Sequence, residues 1–196
     1  PGFTVIRMYC IDCERTIEIF LDNVWVRDNQ VIGEPGKGFY YVSQALDFER
    51  HIMMSFGIFE RMYKAYLQWA KPAMRDGKPV RDDPAVRRMV AKLTRQLEVA
   101  RLINLKVLAT TDPQQATVFS AMNKISVGEF THDMADGALD SMGPGAWLAQ
   151  GAPGAPAEGL FDLVRRTAIL NTVGGGTNEV QRNIIARRGL GLPYPT

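Results

Sequence analysis

Three consecutive stretches between Phe39 and Met142 return apolar side chains every third or fourth position, and two of them open on an Asp-Pro pair. That period places the apolar residues on one face of a helix, and such a face is stable only when covered. Several long amphipathic helices in succession therefore have to pack on one another. The first is predicted over 39–69, with Val42, Ala45, Leu46, Ile52, Met53, Phe56, Phe59, Tyr63 and Tyr66 in its row. Ala70-Lys71-Pro72 ends it, and Arg75-Asp76-Gly77-Lys78-Pro79 is a turn. Asp83-Pro84 opens the second, an N-cap followed by proline where helix geometry welcomes it. Its inward row runs from Val86 through Leu93 and Ala100 to Val107 and Leu108. Asp112-Pro113 opens a third that continues to about Met142, with Phe119, Met122, Ile125, Phe130 and Met134 inward.

After these, residues 143–157 form a Gly/Ala/Pro loop long enough to suggest a role. A fourth helix is predicted over 157–172; Gly174-Gly175-Gly176 breaks it, and Thr177 caps a short fifth ending at Gly189. Residues 3–32 have strand character instead, with Phe3, Val5, Ile19, Phe20, Val24, Trp25 and Val26, and turn signals at Asp12 and Asp22-Asn23. A sheet that small cannot cover both its faces. The fold class is thus mainly α: an up-down four-helix bundle preceded by a remnant of a β-domain. The division falls at residues 1–33, the edge of the β-domain, and 34–196, the bundle.

Composition excludes several classes of function. The 23 basic and 21 acidic residues nearly cancel, so charge announces no nucleic-acid partner. Charges interrupt every apolar run before it reaches a membrane span. Two cysteines, Cys10 and Cys13, make no disulfide framework, which fits a cytoplasmic setting. Their Cys-x-x-Cys spacing has no second pair, so no metal site is expected. His51 and His132 read as structural, and Ile52-Met53-Met54 as core. Arg87, Arg88, Lys92 and Arg95 read as a solvated face that could meet a phosphate at a subunit interface.

Chemistry points to two places. Glu49 falls in the apolar row of the first helix, and a desolvated carboxylate is suited to proton abstraction. The same position also suits a boundary glutamate paired with Arg50 or with an arginine of the second helix. Asp47 and Arg50, three residues apart, could pair with each other or grip a polar ligand beside that face. Gly174-Gly175-Gly176-Thr177-Asn178 before a helix lets a backbone approach an anion or a planar cofactor, or is simply a turn. It lacks the Gly-Lys-Ser/Thr ending of a P-loop.

Three segments together resemble the acyl-CoA dehydrogenase family. Asn23-Val24-Trp25-Val26-Arg27-Asp28-Asn29-Gln30-Val31-Ile32-Gly33, with Gly36-Lys37-Gly38-Phe39, looks like the passage from its middle β-domain to its C-terminal helices. Leu46-Asp47-Phe48-Glu49-Arg50 resembles the start of its first C-terminal helix. Gly175-Gly176-Thr177-Asn178-Glu179-Val180-Gln181-Arg182 resembles its terminal Gly-Thr-x-x-x-Gln-Arg signature. The resemblance spans essentially the whole chain. It implies an FAD-dependent enzyme that oxidises acyl-CoA to trans-2-enoyl-CoA, as a homo- or heterotetramer, passing electrons to an electron-transfer flavoprotein. Most members carry the catalytic base two residues before the signature threonine, where this chain has Gly175. A minority carry it on the first C-terminal helix, and the matching residue is Glu49. The resemblance also assigns Asp47 and Arg50 to acyl-CoA contacts, and Gly176, Thr177, Asn178 and Glu179 to the flavin neighbourhood.

Two family motifs are altered. The usual Arg-x-x-Phe-Gly reads Met74-Arg75-Asp76-Gly77, and the usual Gln-x-x-Gly-Gly-x-Gly reads Asp140-Ser141-Met142-Gly143-Pro144-Gly145. These changes resemble actinobacterial dehydrogenases of steroid side-chain breakdown, in which two different subunits share flavin sites. Residues that would precede Pro1 in that family are not in this sequence, so a C-terminal fragment, inactive alone and poor at binding FAD, is expected. The competing expectation is a non-catalytic helical partner subunit in which Glu49 is only structural.

Overall fold

The structure, a computed structural model, describes residues 2–11, 15–53 and 55–193. At Arg15, Asp47, Phe48, Arg50, His51, Ile52 and Met53 only the backbone is described. The expectations placed on Asp12, Cys13 and Met54, and on the side chains of Asp47, Arg50 and His51, lie outside the described residues. The chain forms two compact units, Pro1–Leu46 and Asp47–Thr196.

In the first unit, β1 (Phe3–Tyr9) and β2 (Arg15–Leu21) pair antiparallel, Phe3 opposite Leu21 and Tyr9 opposite Arg15. Every residue of β1 is exposed, so this is a two-stranded ribbon with apolar side chains uncovered. The strand character predicted to continue to residue 32 does not become strand. Asp28–Gln30 is a 3-10 turn, and Trp25 is 79% exposed. Strand propensity is realised only against a partner ladder, and none reaches this stretch among the described residues.

The predicted helix over 39–69 is two helices, α1 (Gly38–Met53) and α2 (Phe56–Ala70). Ser55 between them is extended, at φ −69° and ψ 135°, and stands as the N-cap of α2. Apolar spacing survives such a break, because a short interruption moves the row only slightly; periodicity alone does not detect it. A short hairpin follows, β3 (Met74–Arg75) with β4 (Lys78–Pro79). Asp76 and Gly77 at its tip both have positive φ, 50° and 73°, the Asp-Gly signature of a tight two-residue turn.

The two Asp-Pro starts behave as their sequence dictates. Asp83 accepts a hydrogen bond from Ala85 N at the head of α3 (Pro84–Ala109), and Asp112 accepts from Gln114 N at the head of α4 (Pro113–Met142). Helix α5 (Leu160–Val173) and the short α6 (Asn178–Ile184), continued by a π turn at Ile185–Gly189, complete a mainly helical bundle. The predicted loop over 143–157 contains two 3-10 turns, Pro144–Trp147 and Pro156–Gly159.

Helix α4 is the centre. It packs against α2, α3, α5 and α6, and its buried side chains point in several directions rather than along one stripe. The core joins Phe59 and Tyr66 of α2, Leu93 of α3, Phe130 and Met134 of α4, and Phe161 of α5. Phe59 meets Phe130 edge to face at 6.0 Å, and Tyr66 meets Phe161 in the same way. In α3 and α4, two residues predicted inward point out instead: Met122 is 38% and Leu108 67% exposed. A helix surrounded on several sides loses its single-face pattern, so spacing misplaces Met122. Leu108 sits in the last turn of α3. Among the described residues no helix is long and apolar enough to cross a membrane.

Candidate functional site

The connection between α5 and α6 brings four of the residues predicted to serve a site into one short segment. Helix α5 closes with Gly174 N donating to Leu170 O. Gly175 and Gly176 follow at φ 69° and 91°, a left-handed run that residues with a Cβ rarely adopt. Thr177 then caps α6, its Oγ1 accepting from Val180 N at 3.3 Å.

Gln181 explains why glycine stands at 176. This side chain is fully buried, and its Nε2 donates to Gly175 O at 2.9 Å and to Gly176 O at 3.4 Å. A Cβ on Gly176 would lie 2.6 Å from that Nε2. The turn is thus held from behind, and its outer surface, exposed at Gly175 and Gly176, carries no side chain. Gln181 Oε1 is buried with no hydrogen-bond partner among the described residues.

Below the turn lies Lys124 of α4, completely buried. Its Nζ donates to Thr172 O at 2.9 Å and to Asn178 Oδ1 at 2.8 Å, and so bridges the end of α5 to the start of α6. One turn further along α4, Gly128 leaves room for the end of α5: a Cβ there would meet Asn171 O at 3.2 Å. The sequence reading overlooked Lys124. The signal that singled out Glu49, a charge within an apolar helical row, is present here too, with Lys124 one turn before Val127 and Gly128.

Glu179 is exposed at the outer rim. Its own backbone N–H and then the Thr177 hydroxyl hold the carboxyl below the usual carboxylate range, with Arg182 and Lys124 adding attraction. Beside the turn a shallow cleft of about 360 Å³ is lined by Glu129, His132, Asp133, Thr172 and Asn178. Its carboxylates already have partners: Glu129 with Arg182 at 3.1 Å, and Asp133 with Lys92 at 2.7 Å and Gln96 at 2.6 Å. Lys92 is therefore engaged within the fold. Arg87, Arg88 and Arg95 remain on the exposed face predicted for them.

Glu49 is placed differently from the expectation. It is exposed on α1, as are the row-mates Val42 (56%) and Leu46 (49%). Periodicity marks a face that needs covering; among the described residues this face is exposed at Val42, Leu46 and Glu49, so the predicted burial of Glu49 is corrected. No hydrogen bond or ion pair joins Glu49 to the glycine turn among the described residues.

The two altered motifs touch each other. Arg75 donates to the backbone oxygen of Ser141 and lies 3.6 Å from Asp83. Tyr66, fully buried, shares a 2.8 Å hydrogen bond with Ser141 Oγ, and burial pushes its phenol above the usual tyrosine range. Arg75 is thus tied to the C-terminal turn of α4 within its own chain.

Residues 36–190 match the family described as acyl-CoA dehydrogenase, C-terminal domain. The chain is 27% identical to the acyl-CoA dehydrogenase FadE26 of Mycobacterium tuberculosis, covering 98% of this chain and 49% of that protein. Among solved structures, a chain of the ChsE4-ChsE5 complex from Mycobacterium tuberculosis superposes with a TM-score of 0.89 at 26% identity. That match covers 100% of this chain and 50% of the other. The Tcur3481-Tcur3483 steroid ACAD gives a TM-score of 0.83 at 26% identity over 99% of this chain and 50% of that one. The sequence spans about half the length of each of these proteins.

Proposed function

The chain belongs to the acyl-CoA dehydrogenase family through its C-terminal helical domain, and from that premise we propose that it is the C-terminal portion of an FAD-dependent enzyme converting an acyl-CoA thioester to trans-2-enoyl-CoA. The glycine turn backed by Gln181 carries this reading. It offers an exposed backbone surface with no Cβ, its two carbonyls tied down behind it, and this fits a planar group laid against it. Gly176, Thr177, Asn178 and Glu179 would hold that face of the cofactor. When bound, FAD supplies the acceptor for the hydride leaving the β-carbon.

Glu49 is proposed as the base that takes the α-proton, because the position two residues before Thr177 is Gly175 and offers no titratable group. Asp47 and Arg50 would border the acyl-CoA beside it. The exposure of Glu49 in this chain agrees with a base whose surroundings are completed by another domain or subunit. A tetramer, with electrons passed to an electron-transfer flavoprotein in the cytoplasm, belongs to the same proposal. The likeness to the ChsE4-ChsE5 complex and to a steroid ACAD supports a heteromer acting on a steroid acyl-CoA.

Two observations favour a second reading, a non-catalytic helical subunit that completes a homologue's site: Gly175 stands at the usual base position, and Glu49 is exposed, with no hydrogen bond or ion pair among the described residues. Anaerobic bleaching of the flavin by acyl-CoA separates the two, using the flavin-loaded oligomer that contains this chain. A general base is worth about 10²- to 10⁴-fold, so Glu49→Gln should slow bleaching by at least about a hundredfold. Bleaching at the unaltered rate would assign catalysis to another subunit.

A further inference from the structure

We propose that Lys124 is a positioning residue for the cofactor face: its buried ammonium fixes the Gly174–Thr177 turn from beneath and sets the charge under it. This rests on the FAD reading above. Taking an ammonium out of water is costly, and the cost is offset only by well-placed acceptors. Two acceptors of Lys124 lie at opposite ends of one connection. Thr172 O belongs to the last turn of α5, the negative end of that helix, where a cation is favoured. Asn178 Oδ1 belongs to the first residue of α6. A single group on α4 therefore ties the residues on either side of the glycines.

Those glycines need such restraint. With two consecutive left-handed residues and no side chains, the turn has high conformational freedom, and a binding face built from it is defined only where its ends are held. Gln181 holds the carbonyls of Gly175 and Gly176, and Lys124 holds the flanks. Gly128 fits the arrangement: a Cβ there would press on Asn171 O at 3.2 Å, so glycine lets the end of α5 lie close against α4.

Two variants of the flavin-containing oligomer test this, Lys124→Met and Asn178→Ala. Amide exchange at residues 174–177, the FAD dissociation constant of the apo-oligomer and the two-electron midpoint potential are measured. Both variants should speed exchange at the turn and weaken FAD at least tenfold. The double variant should be no weaker than the worse single one, because both break the same contact. Only Lys124→Met, which removes the charge, should move the potential to more negative values. Unchanged FAD affinity and unchanged exchange in Lys124→Met, with a lowered melting temperature alone, would overturn the inference and leave a merely structural cation. Should Lys124→Met fail to fold, Asn178→Ala decides by exchange at the turn measured without FAD: faster exchange supports the inference and unchanged exchange overturns it. Failure of the unaltered oligomer to bind FAD would sink the functional reading instead; exchange at the turn would then still show whether Lys124 holds it.

Discussion

Gly176 and Gly159 both sit at positive φ, 91° and 76°, yet what surrounds them differs, and so does the consequence of adding a methyl group. At Gly159 a Cβ would lie 2.6 Å from the backbone of Ala149 and Gln150, which cannot rotate away. At Gly137, in the middle of α4, a Cβ would meet the flexible Met89 thioether at a similar distance, without backbone strain. Gly159→Ala should therefore destabilise by about 1–3 kcal/mol, and Gly137→Ala by clearly less, in urea unfolding. If the two were equally costly, backbone clash would not be the deciding factor.

Tyr66 supplies a pH test. Burial raises its folded pKa above the ordinary 10.0, so the unfolded chain loses this proton first. Its contribution is complete below pH 10 and declines as pH rises through the raised value. Tyr66→Phe should lose about 1 kcal/mol at neutral pH with the Ser141 hydrogen bond, and should be less sensitive than the parent above pH 10. Parallel stability curves for the two would exclude Tyr66 as the source of alkaline sensitivity.

Among the elements, the starts of α3 and α4 were legible because capping is local chemistry. Asp83 and Asp112 each accept from N–H groups within their own first turn, and no distant residue is needed. Asp112→Ala should cost about 1 kcal/mol in thermal unfolding, near the middle of the range for such caps. The break between α1 and α2 was not legible, since the extended backbone of Ser55 leaves the apolar spacing in step. Helix α4 shows the opposite limit. Contact with α2, α3, α5 and α6 buries Ser120, Asn123, Lys124 and Thr131 along with its apolar residues, so its pattern understates how central it is. Those polar residues find their purpose only against particular neighbours, as Lys124 does at Thr172 and Asn178.

For the molecule as a whole, the distribution of burial predicts the order of opening. The middle of α4, from Val127 to Leu139, lies within the core, whereas β1 and β2 form a ribbon whose described side chains are exposed. Native-state amide exchange should find the slowest amides in Val127–Leu139 and fast exchange in Phe3–Tyr9 and Arg15–Leu21. Comparable protection in the ribbon would mean that it is covered in solution by a partner. The sequence by itself determined the helical class, the helix starts, the positions of the turns and the family signature around Thr177, because each depends on residues near one another in the chain. Glu49 was marked by the same local logic, but its burial was not settled by it: a periodic apolar row says that a face needs a partner and not where the partner is. Only the tertiary structure placed Lys124 under the glycine turn, Gln181 behind it and Arg75 on Ser141. Those contacts join residues up to 66 positions apart, and no spacing rule reaches across that distance.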